Sequence, residues 1–169
     1  NARPLTPAIK GRSGIPTVAW RKLFGSQRLI FSMPKTLAAE MGFNFSAGAR
    51  NYAECAYLSA EGKLLIANVT GRTDSTDRWT VQNRQNTMTL TMKPDWVPAG
   101  TPDHRAQGCV FTVRLFQTGS VLELVLPDWA APERVKLQAA RERGAAAADL
   151  AAKKVQDAPG FSMLSQKVA

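Results

Sequence analysis

The sequence predicts an α+β protein with mainly antiparallel β-sheet and a long C-terminal helix packed on one face. Three observations predict the class. Short stretches from residue 17 onward alternate apolar and polar side chains with a period of two, as half-buried strands do. Two of them, "GCVFTVRLF" and "SVLELVLP", flank Thr118-Gly119 as a hairpin. From Trp129 to Val155 the chain is helical by propensity. A series of strands followed by a helix, rather than regular alternation of the two, reads as α+β.

Taken in order, residues 1–16 carry Pro4, Pro7, Gly11, Gly14 and Pro16 and are expected to form a flexible basic arm. Residues 17–24 read as a strand and Gly25-Ser26 as a turn. "QRLIFSMPK" is a second strand limited by Pro34, with Leu29, Phe31 and Met33 on one face and Arg28, Ile30 and Ser32 on the other. "GFNFS" and "RNYAECAYL" supply further extended segments. Residues 59–69, "SAEGKLLIANV", admit two readings: Ser59 followed by Glu61 suits a short helix, and Gly62 with its β-rich neighbours suits a hairpin. "TGRTDSTD" is a polar loop, and "RWTVQNR" is a strand. In "NTMTLTMKPDW", Met88, Leu90 and Met92 form a core face; Thr87, Thr89, Thr91 and Lys93 form the opposite one. A twelve-residue loop, "WVPAGTPDHRAQ", precedes the hairpin. Pro132 suits the first turn of the long helix and Lys153-Lys154 its C-terminal end. Gly144 loosens the middle and Pro159-Gly160 stop it. The expected organisation is an arm at 1–16, one folded domain at 17–157 and a tail at 158–169.

The nucleic-acid expectation starts from charge. The chain has 22 Lys and Arg against 13 Asp and Glu, a net charge of +9. Nucleic acid and anionic membrane are the partners such a balance serves, and plain solubility is the bland alternative. No apolar run is long enough for a transmembrane helix, and no membrane partner is expected. Seven bases and no acid precede Glu40, as happens near a mitochondrial targeting segment and equally in a basic arm that grips nucleic acid. The chain opens at Asn1 without Met, as a processed or trimmed form does, and a mitochondrial matrix location is the expectation.

Covalent chemistry finds little to stand on. His104 is the single histidine, with no nucleophile elbow near it and no ligand partners at metal-binding spacing. Cys55 and Cys109 lie far apart in apolar runs and read as small buried hydrophobes. No glycine-rich phosphate loop is present. We therefore expect no enzyme, no cofactor and no metal.

The basic positions carry more. Arg28 and Ser32 share the outward side of an early strand, Arg114 in the hairpin shares a side with Thr112 and Phe116, and Lys93 ends the threonine face of a strand expected to lie beside that hairpin. Arg50, Arg72, Arg78 and Arg84 flank strand ends, and Tyr52 and Trp79 add aromatic surface. Positive charge with short hydroxyls suits phosphate, and flat apolar rings suit exposed bases. The candidate RNA-binding residues are thus Arg21, Lys22, Arg28, Lys35, Arg50, Tyr52, Arg72, Arg78, Arg84, Thr87, Thr89, Thr91, Lys93 and Arg114. A solvated sheet with scattered charges is the competing reading.

"TLTMKP", then "GCVFTVRLF", then "LVLPDWAAPERVKLQAARE" resembles the second half of the Whirly fold: a strand ending in Lys-Pro, a long loop, a hairpin and a helix packed on the sheet. "RLIFSMP" is similar to an early strand of that family. "AYLSAEGKLLIA" is similar to the junction leading into its first helix, which favours helix over hairpin at 59–69. The resemblance covers residues 17–143. Plant Whirly proteins, which bind single-stranded DNA, carry a Lys-Gly-Lys-Ala-type motif where this chain has "VAWRKLFG"; Arg21 and Lys22 remain, but the motif does not. The other branch is the kinetoplastid mitochondrial RNA-binding proteins. What that resemblance implies is binding of guide RNA, promotion of its annealing to pre-edited mRNA in RNA editing, and a tetramer containing a related paralogous chain. An organellar single-stranded DNA-binding protein and a basic structural subunit of a mitochondrial assembly are the alternatives.

Overall fold

The computed structural model describes residues 2–4, 14–72 and 77–156. Most of the 1–16 arm and the tail from 157 onward lie outside them, as does the Pro159-Gly160 stop.

Ten strands and two helices make up the described chain. In order they are β1 (Ala2–Pro4), β2 (Thr17–Leu23), β3 (Ser26–Pro34), α1 (Lys35–Glu40), β4 (Asn51–Leu58), β5 (Lys63–Asn68), β6 (Arg78–Asn83) and β7 (Thr87–Met92). There follow β8 (His104–Gly108), β9 (Val110–Phe116), β10 (Gly119–Val125), a 3-10 turn (Asp128–Ala130) and α2 (Pro132–Gln156). All strands join one antiparallel sheet in the order β1-β9-β10-β5-β4-β6-β7-β3-β2-β8.

The sheet rolls because a single span of chain belongs to both of its ends. β8 pairs with β2, β9 pairs with β10, and only Cys109 separates β8 from β9. The Cys109 N–H donates to the Pro16 carbonyl at 2.9 Å, continuing the contact through the junction. The result is a half-barrel whose inner face packs on itself. Leu29, Phe31 and Met33 of β3 meet Met88, Leu90 and Met92 of β7, and the same cluster takes in Leu64, Ile66, Phe111, Val113, Leu122 and Leu124. Burying each such side chain stabilises the fold by about 1.5–3 kcal/mol relative to leaving it in water. Among the described residues the one buried polar side chain, Asn51, is satisfied locally. It accepts from the Asn44 N–H at 2.8 Å and donates to the Asn44 carbonyl at 2.7 Å, which ties the 42–50 loop to the barrel.

Four expectations are corrected. Residues 59–69 do not form a helix: 59–62 turn and Lys63–Asn68 is β5, antiparallel to β4. Gly62 sits at φ +62°, a left-handed conformation that ends helical geometry, and its N–H donates to the Ser59 carbonyl at 3.2 Å. The long helix does not pack on the sheet. No residue of α2 is buried, and its element contact is with the 3-10 turn before it. Its apolar residues (Val135, Leu137, Leu150, Val155) are scattered among alanines and charges, so there is no apolar stripe to bury. The Met88-Leu90-Met92 face is covered by the opposing wall of the rolled sheet. The proline-containing loop is shorter than expected, because His104–Gly108 becomes β8. Finally, the strands of Lys93 and Arg114 are not neighbours: β7 lies between β6 and β3, β9 between β1 and β10.

Helix α1 was not foreseen in the sequence. At six residues it is too short to display a helical period, and its only signal is Leu37-Ala38, both buried.

Candidate nucleic-acid interface

Strand register decides which outward side chains meet. On the convex face of β2, β3, β7 and β6, Thr17 pairs with Ser32, Ser32 with Thr89, and Thr89 with Gln82. With strands about 4.8 Å apart, this row of three hydroxyls and an amide runs about 14 Å across the sheet. Two residues along each strand the row is Ala19, Ile30 and Thr91; Thr87 lies at the opposite end, beside Pro34.

Two residues further again the row is basic. Arg21 pairs with Arg28, and Lys93 stands level with Arg28 because it follows Met92, the partner of Leu29. On β6, whose Val81 faces Leu90, the same count brings Arg78 level with Lys93. Arg78 is pinned from the side: its guanidinium lies 4.7 Å from the Tyr52 ring centroid, and its Nη1 donates to the Arg72 carbonyl at 3.4 Å. The Arg28 Nε donates to Ser26 Oγ at 3.2 Å. The face thus presents hydroxyls across its middle and cations along one end, the two chemistries that phosphate oxygens accept from.

The other sequence-predicted residues lie elsewhere. Lys22 is exposed at the end of β2, and Arg50 is exposed just before β4. Arg84 is at the β6–β7 turn, where its Nη2 donates to Gln82 Oε1 at 2.8 Å. Lys35 begins α1, with its ammonium 5.5 Å from the Phe45 ring. Arg72 sits in the turn after β5, beside Arg78. Arg114 is on the other half of the barrel and is spoken for: its Nε donates to Glu123 Oε2 at 2.8 Å. Lys63 reaches the same carboxylate at 2.7 Å and Glu61 at 2.6 Å. The Lys63 hydrogen bond draws the Glu123 carboxyl below the ordinary carboxylate range against the opposing effect of burial. The Glu123 and Glu61 bonds push the Lys63 ammonium up.

Two features of this region were missed in the sequence. Phe24, 99% exposed, caps the β2–β3 turn at φ 50° with Gly25 at φ 81°. A bulky residue at positive φ is uncommon, and the "FG" dipeptide between two strands was the signal. The second is an aromatic cluster at the end of β7. Tyr57 and Trp96 stack with ring centroids 4.3 Å apart and planes 12° from parallel, and Trp79 stands nearby. Nothing in the sequence spacing announces it, because its members come from β4, β6 and a loop.

His104 stacks on Trp129, centroids 4.6 Å apart, and Trp129 Nε1 donates to Gln107 Oε1 at 3.3 Å. Burial pushes the Cys55 thiol up to about 12, helped by Glu54, and burial likewise raises Cys109 to about 12. Among the described residues no three His, Cys, Asp or Glu side chains gather as metal ligands. No family model, curated protein or solved structure matches the chain.

Proposed function

We propose that this protein binds single-stranded RNA through its phosphate backbone on the outer face of β2, β3, β7 and β6, and promotes annealing of that strand to a complement. The observation that carries the reading is register: Thr17, Ser32, Thr89 and Gln82 line up across four strands, with Arg21, Arg28 and Lys93 aligned in a second row four residues further along, beyond Ala19, Ile30 and Thr91. Phosphates carry no base information, so binding is tolerant of sequence. Neutralising one backbone lowers its repulsion for a second, and counterion release makes the affinity salt-dependent. Neither step needs a cofactor or a covalent intermediate. The resemblance noted above adds guide RNA as the bound strand, mitochondrial RNA editing as the setting and a tetramer of related chains as the assembly.

The test is a labelled stem-loop RNA and a single-stranded DNA of equal length, titrated across a salt series with strand annealing followed in the same samples. Salt-sensitive RNA binding with accelerated annealing is the expected result. Equal or tighter DNA binding without annealing moves the assignment to an organellar DNA-binding protein. Absence of binding to either rejects the face as a nucleic-acid site. Light scattering on the purified chain reads the assembly state.

A further inference from the structure

The aromatic cluster at the end of β7 encloses a cavity of about 310 Å³, at the small end of the about 300–1,000 Å³ typical of ligand pockets. Tyr57, Trp79, Trp96, Lys93 and Asp95 line it. Trp79, 36% exposed, offers an accessible ring. The polar atoms are the unusual part. Tyr57 Oη and Trp96 Nε1 are buried, and neither has a hydrogen-bond partner among the described residues. Buried polar groups are nearly always paired, and exceptions call for an explanation. A third such atom, Gln27 Oε1, belongs to a residue lining a second cavity of about 420 Å³, which shares Lys93, Pro94 and Asp95 with the first. The unpartnered groups therefore concentrate on both sides of one short ridge.

We propose that the Tyr57–Trp79–Trp96 cavity receives one unpaired nucleobase of the strand bound on the adjoining outer face, a site that rests on the RNA-binding reading above. The chemistry matches on each side. A base is planar and stacks on aromatic rings with little regard to sequence. Its amino or imino N–H donates to the exposed Asp95 carboxylate, and the buried Tyr57 hydroxyl and Trp96 indole N–H are donors that a base seated deep in the cavity would satisfy. Lys93 joins the two surfaces: it lines the cavity and also belongs to the basic outer row with Arg28, while Trp79, one residue after Arg78 in β6, turns to the inner side, so the strand reaches the cavity over the sheet's rim at Lys93. One base held inside anchors the strand while its neighbours stay outside, free to pair.

The experiment compares a single-stranded RNA of about 12 nucleotides, within the site sizes of single barrel-type binders, with an abasic phosphodiester chain of equal length. Both are titrated across a salt series against the full chain, Trp79→Ala and Trp96→Phe. Trp96→Phe keeps a ring beside Tyr57 and removes only the N–H, so it guards against a folding defect in the first variant. The expected result is tighter binding of RNA than of the abasic chain by the parent. Trp79→Ala should lose about tenfold on RNA, Trp96→Phe should lose severalfold, and neither should change on the abasic chain or in salt slope. Equal binding of RNA and abasic chain by the parent, or unchanged RNA affinity in both variants, overturns the base pocket and leaves the phosphate face standing. Absence of binding to either probe overturns the face and the pocket together.

Discussion

At the scale of single residues, two glycine-linked turns make opposite predictions. Phe24-Gly25 has positive φ at both central positions, the geometry of the two-residue hairpin turn that prefers Asn-Gly. A phenylalanine there is strained and exposed, so Phe24→Asn should stabilise the fold by about 1 kcal/mol, read as a shift in denaturant midpoint. If Phe24 also touches a base, the same variant will bind RNA more weakly; stability and affinity moving in opposite directions would identify a functional strain. Gly62 is the contrary case. A Cβ there would sit 2.7 Å from Ala131 Cβ on top of a φ of +62°, so Gly62→Ala should destabilise by about 2 kcal/mol or more. The Glu123 carboxylate adds a pH signature. Its value is depressed in the fold, so its contribution is present at neutral pH and lost as pH falls through the folded value. Glu123→Gln should accordingly be less stable than the parent near neutrality, with the gap closing below the ordinary carboxylate range. A gap that widened on acidification would reject the linkage.

At the scale of elements, the outer face of β2, β3, β7 and β6 separates two lysine and arginine positions that sequence parity treated alike. Lys93 stands at the end of the basic row and has no carboxylate within salt-bridge distance among the described residues. Arg114, away from this face on β9, is bonded to Glu123 of the neighbouring strand β10. Lys93→Ala should weaken binding to all RNA sequences about equally and reduce the magnitude of the salt slope by about 0.7, the contribution of one phosphate contact on a single strand. Arg114→Ala should leave that slope unchanged. Equal flattening by both variants would mean that the bound strand wraps the whole barrel rather than one face. The contrast also marks what was legible beforehand. The period of two in "NTMTLTMKPDW" gave the threonine face correctly, because alternation is a local property of one strand. Which strands lie beside it is not local: β8 reaches β2 across more than eighty residues of chain, and no window of sequence carries that pairing. The 59–69 segment failed for a related reason. Helical start signals and a turn share Ser and Glu, and the left-handed Gly62 that decides between them is visible only as a backbone angle.

For the whole molecule, the decisive feature is that the barrel buries its core without help from α2. Leu29, Phe31, Leu64, Met88, Leu90, Leu122 and Leu124 are all sealed between sheet walls, whereas no residue of the 25-residue helix is buried. Helix and sheet should therefore melt separately. An alanine-rich helix of this length holds by propensity and by pairs such as Lys136–Glu133 at 2.9 Å, so its melting is gradual. The sheet, with its single contiguous cluster, should unfold cooperatively. The four tryptophans (Trp20, Trp79, Trp96, Trp129) all precede α2, which makes them reporters of the barrel alone. On heating, the helical far-ultraviolet signal should fade before and more broadly than tryptophan fluorescence changes. Truncation after Lys136 should then remove the early phase and move the fluorescence midpoint by no more than about 0.5 kcal/mol in equivalent stability, as surface changes do. Because truncation also removes Arg141, Arg143, Lys153, Lys154 and Lys167 with only Glu142, Asp149 and Asp157 against them, it separates general charge from the organised face. If RNA affinity survives truncation with the salt slope intact, the aligned row of Arg21, Arg28 and Lys93 is sufficient. If affinity falls in step with the charge removed, binding is diffuse attraction to a basic molecule, and the register of the sheet plays no part in it.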